Sequence, residues 1–375
     1  MLNINIQKED LLKALSDVQH AISSKPSMPI LTGVKISADK EGVTIVGTNN
    51  DLSITKTIPL EHKGTEIVSL KKEGSIVLNA KFLLDIVKKA PKTDILITVG
   101  KNFVTEIQSG KSSFNLNGLE PEMFPKIPEI EGEIDFSISV KDLKQLISQT
   151  ILVAATSEMR PILTGVNLTL SSSEIKAVAT DSHRLVLKTL SIPAGEEEKN
   201  ITIPAKSLQE LAKILDDPKE QVGIKMSESQ IIFQSNNLLL CTRLLEGKYP
   251  DTAKLIPDNT TTTVKGNKKE LIAALDRCSL LANEKTKIIT LEATKGQLIL
   301  SVTSKEVGNV TEILDDIEID GEDVKISFSE KFAKDALSTF DKEKVKLEFT
   351  GAVRPFLFRC DEDNTLTQLV LPVRT

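Results

Sequence analysis

Pro29-Ile30-Leu31-Thr32-Gly33-Val34 returns as Pro161-Ile162-Leu163-Thr164-Gly165-Val166, an offset of 132 residues in a chain of 375. A short match could arise by chance, but the flanks follow suit. Each copy is preceded by a segment with helical apolar spacing and followed by strand-like alternation, the mark of a duplicated domain. Residues 7–22 place Leu11, Leu12, Leu15, Val18 and Ile22 on one stripe, and residues 139–155 do the same with Leu143, Leu146, Ile147 and Ile151. Residues 266–282 carry Leu271, Ile272, Leu275 and Ser279 in comparable places, which makes a third copy. A second helix family opens with Asn79-Ala80-Lys81-Phe82-Leu83, Pro204-Ala205-Lys206-Ser207-Leu208 and Ser329-Glu330-Lys331-Phe332-Ala333, spaced by about 125 residues, one third of the chain. Between the helices the period falls to two, as in Gly42-Val43-Thr44-Ile45-Val46 and Ile95-Leu96-Ile97-Thr98-Val99. Each third reads as helix, strands, helix, strands, with Phe124-Pro125 and Tyr249-Pro250 closing the first two. The expectation is an α+β fold of three repeated domains, 1–126, 127–254 and 255–375, each with two helices on one face of antiparallel sheet.

Composition narrows the classes of function. At 40% hydrophobic and 27% charged residues the chain is neither disordered nor a coiled coil. Aromatics are 3%, with no Trp and one Tyr, so stacking of bases on aromatic platforms is not a major binding mode. Lys8, Glu9 and Asp10 interrupt the N-terminal segment as a signal peptide, and no apolar run approaches a membrane span. Cys241, Cys278 and Cys360 are odd in number and far apart, giving neither a disulfide framework nor paired metal ligands. The expectation is a cytoplasmic, reduced, metal-free protein without a cofactor.

Two stretches resemble catalytic motifs and fail on geometry. Asp181-Ser182-His183 holds the residue types of a hydrolase triad, but neighbours on an extended segment point to alternating faces, whereas a triad converges from separate places. Ser109-Gly110-Lys111-Ser112 resembles the end of a P-loop, but the glycine required five residues before Gly110 is Thr105. The flanks alternate like a hairpin, with Gly110 in its turn. His20, His62 and His183 lie in different contexts, and no catalytic constellation emerges.

Laid over one another, the three thirds resemble the bacterial replicative sliding clamps, the beta subunits of DNA polymerase III. The residues that carry the resemblance span the chain: SSKPSMPILTG at 23–33, the FNLNGL hairpin at 114–119, ATDSHRL at 179–185, Tyr249-Pro250-Asp251, and Leu371-Pro372-Val373-Arg374. The resemblance implies a head-to-tail homodimer closing into a ring around duplex DNA, with no chemistry of its own. It also implies partners: the polymerase III catalytic subunit, other replication and repair proteins, and an ATP-dependent loader, since this chain has no nucleotide motif. Two helices in each of three domains of two protomers give twelve helices; at roughly 10 Å each they line about 120 Å, a hole about 40 Å across. Such a hole fits a duplex loosely, as sliding requires.

By residue, the resemblance implies a partner-peptide pocket walled by Thr180, His183, Arg184 and Leu185, by Pro250, Lys254 and Leu255, and by Pro355, Leu369, Val370, Leu371, Pro372 and Val373. It places Lys25 and Arg160 on loops reaching the hole, and Phe114, Leu116, Leu280 and Leu281 in the protomer interface, where periodicity alone reads core. Charge adds Lys81, Lys88, Lys89, Lys206, Lys268 and Lys269 as phosphate contacts. The six helical segments, taken as 7–21, 79–92, 139–156, 205–219, 265–282 and 329–342, carry −1, +3, +1, 0, +2 and 0, a total of +5 on a chain whose net charge is −6. Phosphates are therefore drawn to the helices and repelled elsewhere. Lys25 and Lys254 stand where many family members have Arg, which keeps charge and loses the planar fork. Leu371 and Val373 stand where some have the more adaptable Met. The alternative is a repeat protein that binds peptides without encircling DNA.

Overall fold

The computed structural model describes residues 2–23, 26, 28–127, 130, 132–192, 198–283, 287–304 and 306–374. Within it the repeated hexapeptide has a physical explanation. Pro29–Thr32 and Pro161–Thr164 each form one 3-10 turn with proline first, where its missing N–H leaves no bond unmade. The threonine hydroxyl closes each turn on the proline carbonyl, at 2.8 Å for Thr32 and 2.7 Å for Thr164. Leu31 and Leu163 are buried. Glycine follows because the strand runs too close to its neighbour for a side chain: a Cβ on Gly33 would stand 2.7 Å from Val77 Cγ1, and one on Gly165 2.7 Å from Ile203 O.

Among the described residues the α-helices are α1 (Lys8–Val18), α2 (Ala80–Lys89), α3 (Val140–Thr150), α4 (Ala205–Ile214), α5 (Lys268–Ser279) and α6 (Glu330–Ser338). Asn79 caps α2 by accepting the Phe82 N–H at 3.1 Å, and Asn267 caps α5 by accepting the Lys269 N–H at 2.8 Å.

The chain divides into two compact units, Met1–Lys141 with Glu210–Leu244, and Asp142–Gln209 with Leu245–Thr375. The first holds an eight-stranded sheet in the order Phe136–Ser139, Gln221–Met226, Gln230–Ser235, Leu238–Arg243, Leu52–Pro59, Gly42–Thr48, Gly33–Asp39, Gly74–Asn79. It also holds a five-stranded sheet that ends on Ser112–Asn117. The second holds a nine-stranded sheet in the order Lys199–Pro204, Gly165–Leu170, Ile175–Thr180, Arg184–Leu190, Asp363–Val370, Phe356–Cys360, Lys344–Phe349, Thr262–Asn267, Glu318–Gly321, and a four-stranded sheet that ends on Gly308–Leu314.

Sheets confined to each third are therefore not what forms. Leu238–Arg243 pairs with Leu52–Pro59, Leu240 opposite Ile54, and Arg184–Leu190 pairs with Asp363–Val370, Leu185 opposite Leu369. An antiparallel edge left bare presents unpaired N–H and C=O groups, and pairing with the neighbouring repeat satisfies them.

In the first unit α1 buries Leu11, Ala14, Leu15 and Val18 against α2 and the strand Leu52–Pro59. Gly47 permits the approach, since a Cβ there would meet Val18 Cγ1 at 2.6 Å. In the second unit the buried stripe of α5 is Leu271, Ala274, Leu275 and Cys278, not the expected run through Ile272 and Ser279. Small Ala274 and Cys278 lie at the i+3 and i+7 positions and let the helix settle on the sheet, with Cys278 Sγ 3.7 Å from Leu300 O. Phe356 anchors this core, its ring centroid 5.1, 5.3 and 5.2 Å from those of Phe328, Phe349 and Phe358.

Candidate functional site

In the nine-stranded sheet, Leu185 faces Thr180 on one side and Leu369 on the other, and Leu187 faces Val178. Strand alternation puts these side chains, with Leu371, on one face. There Leu185, Leu357 and Leu369 form a buried cluster, and half-buried Val178, Leu187, Ile256 and Leu371 pack against it. The result is an apolar floor with a partly open rim. Leu255, 52% exposed, stands on the Ala253–Leu255 turn beside Ile256, and Pro250 and Lys254 are exposed. Half-buried Pro372 and exposed Val373 continue the C-terminal wall; Pro355 is half-buried. The tail is pinned by Leu371 N–H on His183 O at 2.9 Å and Val373 N–H on Ser327 O at 2.7 Å.

Two residues expected in the pocket point elsewhere. Val370, 1% exposed, alternates to the opposite face from Leu369 and Leu371, the face that carries Val186 and Gln368. Gln368 donates there to Gln149 O at 3.3 Å and Thr339 Oγ1 at 3.0 Å. Arg184 takes the same face and is 8% exposed. Its Nη1 bonds Asp335 Oδ2 at 2.6 Å, Nη2 donates to Leu152 O at 2.5 Å, Nε bonds Asp181 Oδ2 at 3.0 Å, and Cζ lies 4.6 Å over the Phe332 ring. Val178, Leu187, Ile256 and Leu357 belong to the floor and were not among the expected residues. Period two from Thr180 and Leu185 would have found Val178 and Leu187; no local signal marks Ile256 or Leu357.

The Thr180–Arg184 turn shapes the rim. Asp181 Oδ1 accepts the N–H groups of His183 and Arg184 at 2.9 and 3.1 Å, so this carboxylate caps the turn rather than orienting an imidazole. Thr180 Oγ1 accepts the Ser182 N–H at 3.1 Å and donates to Arg184 O at 2.6 Å. Ser182 has φ +78°, a conformation that costs a non-glycine residue about 1 kcal/mol. His183 is exposed and stacks on Phe332, centroids 6.3 Å apart at 18°.

Tyr249, the chain's one tyrosine, is buried with its hydroxyl accepting the Thr180 N–H at 3.0 Å. Burial pushes its phenol up to about 12, so the fold favours the neutral form. That contribution is complete below the ordinary phenol value of about 10 and disappears as pH rises through about 12. Tyr249→Phe leaves the Thr180 N–H unpaired and is expected to cost about 1–3 kcal/mol at neutral pH in urea denaturation. The gap between wild type and variant should narrow between pH 10 and 12; a gap constant across that range would disprove the assignment.

The basic residues divide. Lys25 lies outside the described residues. Arg160 is exposed immediately before the Pro161–Thr164 turn, and Lys81, Lys88, Lys89 and Lys206 are exposed on α2 and α4. Lys268 and Lys269 are engaged within the protein: Lys268 Nζ donates to Phe340 O, and Lys269 Nζ pairs with Glu343 Oε1 at 3.0 Å. Lys269 holds the Glu343 carboxyl below its usual range, which marks the pair as a mutual neutralisation.

None of the four expected interface residues is core within the protomer. Phe114 is 39% exposed and Leu116 half-buried on Ser112–Asn117, the last strand of its sheet. Gly110, at φ +59°, makes the hairpin turn between Val104–Ser109 and that strand, so the FNLN segment is the second arm of a hairpin and not its turn. Leu280, 78% exposed, and half-buried Leu281 follow the end of α5. The edge strand Gly308–Leu314 presents Ile313, 52% exposed, which no sequence pattern singled out.

One other concavity, of about 320 Å³, is walled by Lys265, Asp316, Glu318, Lys344, Lys346 and Asp361. Within it Lys265 and Lys346 reach Asp361 at 2.7 and 3.0 Å, and most of its wall is charged.

Three repeated α+β domains joined by continuous sheets, carrying a partly exposed apolar floor and exposed apolar edges, define a binding scaffold of the clamp class. Family models for the N-terminal, central and C-terminal domains of the DNA polymerase III beta subunit match residues 2–128, 137–251 and 253–374. The chain is 45% identical to the beta sliding clamp of Bacillus subtilis over 100% of both chains, and 40% identical to that of Staphylococcus epidermidis, again over 100% of both. The crystal structure of the Bacillus subtilis sliding clamp superposes with a TM-score of 0.97, covering 100% of this chain and 99% of that one, and that of the Streptococcus pneumoniae beta chain, 38% identical, with 0.96 over 100% of both. The chain belongs to the DNA polymerase III beta subunit family, the beta sliding clamps, which are processivity factors and not catalysts.

Proposed function

We propose that two copies of this chain, with domains bounded near residues 126 and 254, close head to tail around duplex DNA in the cytoplasm and hold the polymerase III catalytic subunit on its template. The observation that carries this reading is the agreement of the whole chain, and not of one domain, with solved sliding clamps. Exposed Phe114 and Leu116 of one protomer would meet Leu280 and Leu281 of the next. Arg160, Lys25, Lys81, Lys88, Lys89 and Lys206 would face phosphates, with Lys268 and Lys269 contributing less because Phe340 O and Glu343 already engage them. Phosphate contacts carry no sequence information, so the ring moves without sequence-dependent barriers. Partners dock through apolar anchors on the Leu185, Leu369 and Leu371 floor, and the tether turns re-encounter with the primer end into an intramolecular event. An ATP-dependent loader opens the ring, and repair proteins share the groove. Among the described residues no helix is long and apolar enough to cross a membrane.

The test is retention on nicked circular DNA, loaded with the matching loader and ATP, before and after one cut linearises the circle. Retention on the circle and escape from the linear form are expected. Equal retention on both, lost only with salt, means ordinary electrostatic binding. Lys25→Glu with Arg160→Glu should impair loading or sliding without unfolding the domains. Unchanged loading and processive synthesis would remove both residues from the DNA contact.

A further inference from the structure

Asp17 and Gln149 occupy one position of the repeat in two chemical forms. α1 and α3 lie 132 residues apart with their buried stripes in step, Leu11, Ala14, Leu15 and Val18 matching Leu143, Leu146, Ile147 and Thr150. Asp17 and Gln149 precede the last member of each stripe and are 9% and 2% exposed. Each stands at the seam between its own third and the next. One antiparallel strand pair bridges each seam, Leu52–Pro59 with Leu238–Arg243 and Arg184–Leu190 with Asp363–Val370, so the side chains of the helix layer make the difference.

Buried groups close the seam between the central and C-terminal thirds. Gln149 Nε2 donates to Thr339 O at 2.9 Å, and Gln368, 1% exposed, donates to Gln149 O and to Thr339 Oγ1. Gln145 Nε2 bonds Asp341 Oδ2 at 2.7 Å, and buried Arg184 joins Leu152 O to Asp335. At the seam between the first and central thirds the same places carry exposed charge. Lys13, the counterpart of Gln145, pairs with Asp216, the counterpart of Asp341, through side chains 54% and 63% exposed. His20 Nδ1 meets Glu210 Oε2 at 2.6 Å, and Lys213 shares that carboxylate. Beneath them Asp17 Oδ2 is left without a hydrogen bond, Lys56 Nζ standing 3.5 Å away. Burial pushes the Asp17 carboxyl up, and Lys56 and Lys13 pull it back. Gln149 Oε1 also lacks a partner, but an uncharged oxygen costs less to bury than a carboxylate. Exposed ion pairs add little to stability and are screened by salt; buried hydrogen bonds are not.

We propose that the seam between the first and central thirds, α1 against the end of α4, is the compliant joint of the protomer, and that the seam between the central and C-terminal thirds is its stiff one. Each seam lies inside one compact unit. Of two joints that share one strain, the weaker takes up the larger part. In the ring proposed above, the bend imposed by a loader therefore falls at the first seam. That consequence rests on the ring reading; the difference in stiffness does not.

The test is double electron–electron resonance on the full-length protein, with nitroxide labels on cysteines introduced in pairs at exposed turns. Lys40→Cys with Glu228→Cys spans the first seam, and the repeat counterparts Ser172→Cys with Val353→Cys span the second. Cys241, Cys278 and Cys360 are buried and stay unlabelled. At low salt the first pair should give a distance distribution about twofold wider than the second. Raising salt from about 0.01 M to about 1 M shortens the screening length from about 30 to about 3 Å, and should widen the first distribution further while leaving the second unchanged. Lys13→Gln, which copies the chemistry of the other seam, should reduce that salt response about twofold. Equal widths at both salt concentrations, or equal widening of both pairs, would overturn the proposal. So would a salt response that Lys13→Gln leaves unchanged, since the ion pairs would then not be what holds the first seam.

Discussion

Leu280→Asp is expected to turn the ring into monomers. Leu280 is 78% exposed in the protomer, and the proposed closure would bury it against Phe114 and Leu116 of the next copy. Burying a leucine contributes about 1.5–3 kcal/mol, and a two-membered ring contains the same contact twice. Loss of about 3–6 kcal/mol weakens association about a hundred- to ten-thousand-fold at about 1.4 kcal/mol per decade, before the cost of desolvating the new carboxylate. Sedimentation at micromolar concentration should then report the protomer mass of 41.1 kDa in place of twice that value. The variant should also fail to remain on nicked circles. A dimer that survives Leu280→Asp would show that the protomers close through some other surface.

Arg184→Ala is expected to cost about 3 kcal/mol of folding stability, among the largest effects available to one side chain in this protein. The guanidinium is 8% exposed and serves two carboxylates, a carbonyl and an aromatic face. Its removal leaves Asp335, 26% exposed, and Asp181, 17% exposed, without their cation. Breaking a fully buried pair costs about 3–5 kcal/mol, and the partial exposure of Asp335 places this one at the lower end. Urea denaturation followed by far-ultraviolet circular dichroism measures it. Arg184→Lys should recover only part, because an ammonium cannot bond Asp181, Asp335 and Leu152 O at fixed angles and also lie flat on Phe332. A cost below about 1 kcal/mol for Arg184→Ala would mean the cluster is solvated and holds nothing.

The apolar spacing of Leu11, Leu15 and Val18, or of Leu143, Leu146 and Ile147, was sufficient to place α1 and α3, because a helix buries residues three and four apart whatever it packs upon. The recurrence of Pro-Ile-Leu-Thr-Gly was sufficient to reveal the repeat, since its proline, hydroxyl closure and glycine are each required by a turn only a few residues long. Thr105 in place of the glycine required before Ser109-Gly110-Lys111-Ser112, with the hairpin-like alternation of the flanks, was enough to set aside phosphate-loop chemistry. These are local properties, and local sequence holds all the atoms that decide them.

Tertiary structure alone decided which strand edges meet. Nothing near Leu52–Pro59 announces that Leu238–Arg243 will pair with it, because the pairing joins backbone groups that are chemically alike at every position and far apart in the chain. It alone showed that Leu185 and Leu369 are floor while Val370 belongs to the opposite face, since a strand's inward face follows from what covers it and not from its own residues. Arg184 is the clearest case. In sequence it is one cation beside a histidine; in the fold its charge is assigned to an aspartate 151 positions away on another domain's helix, and only three-dimensional proximity sets the partner of a charge.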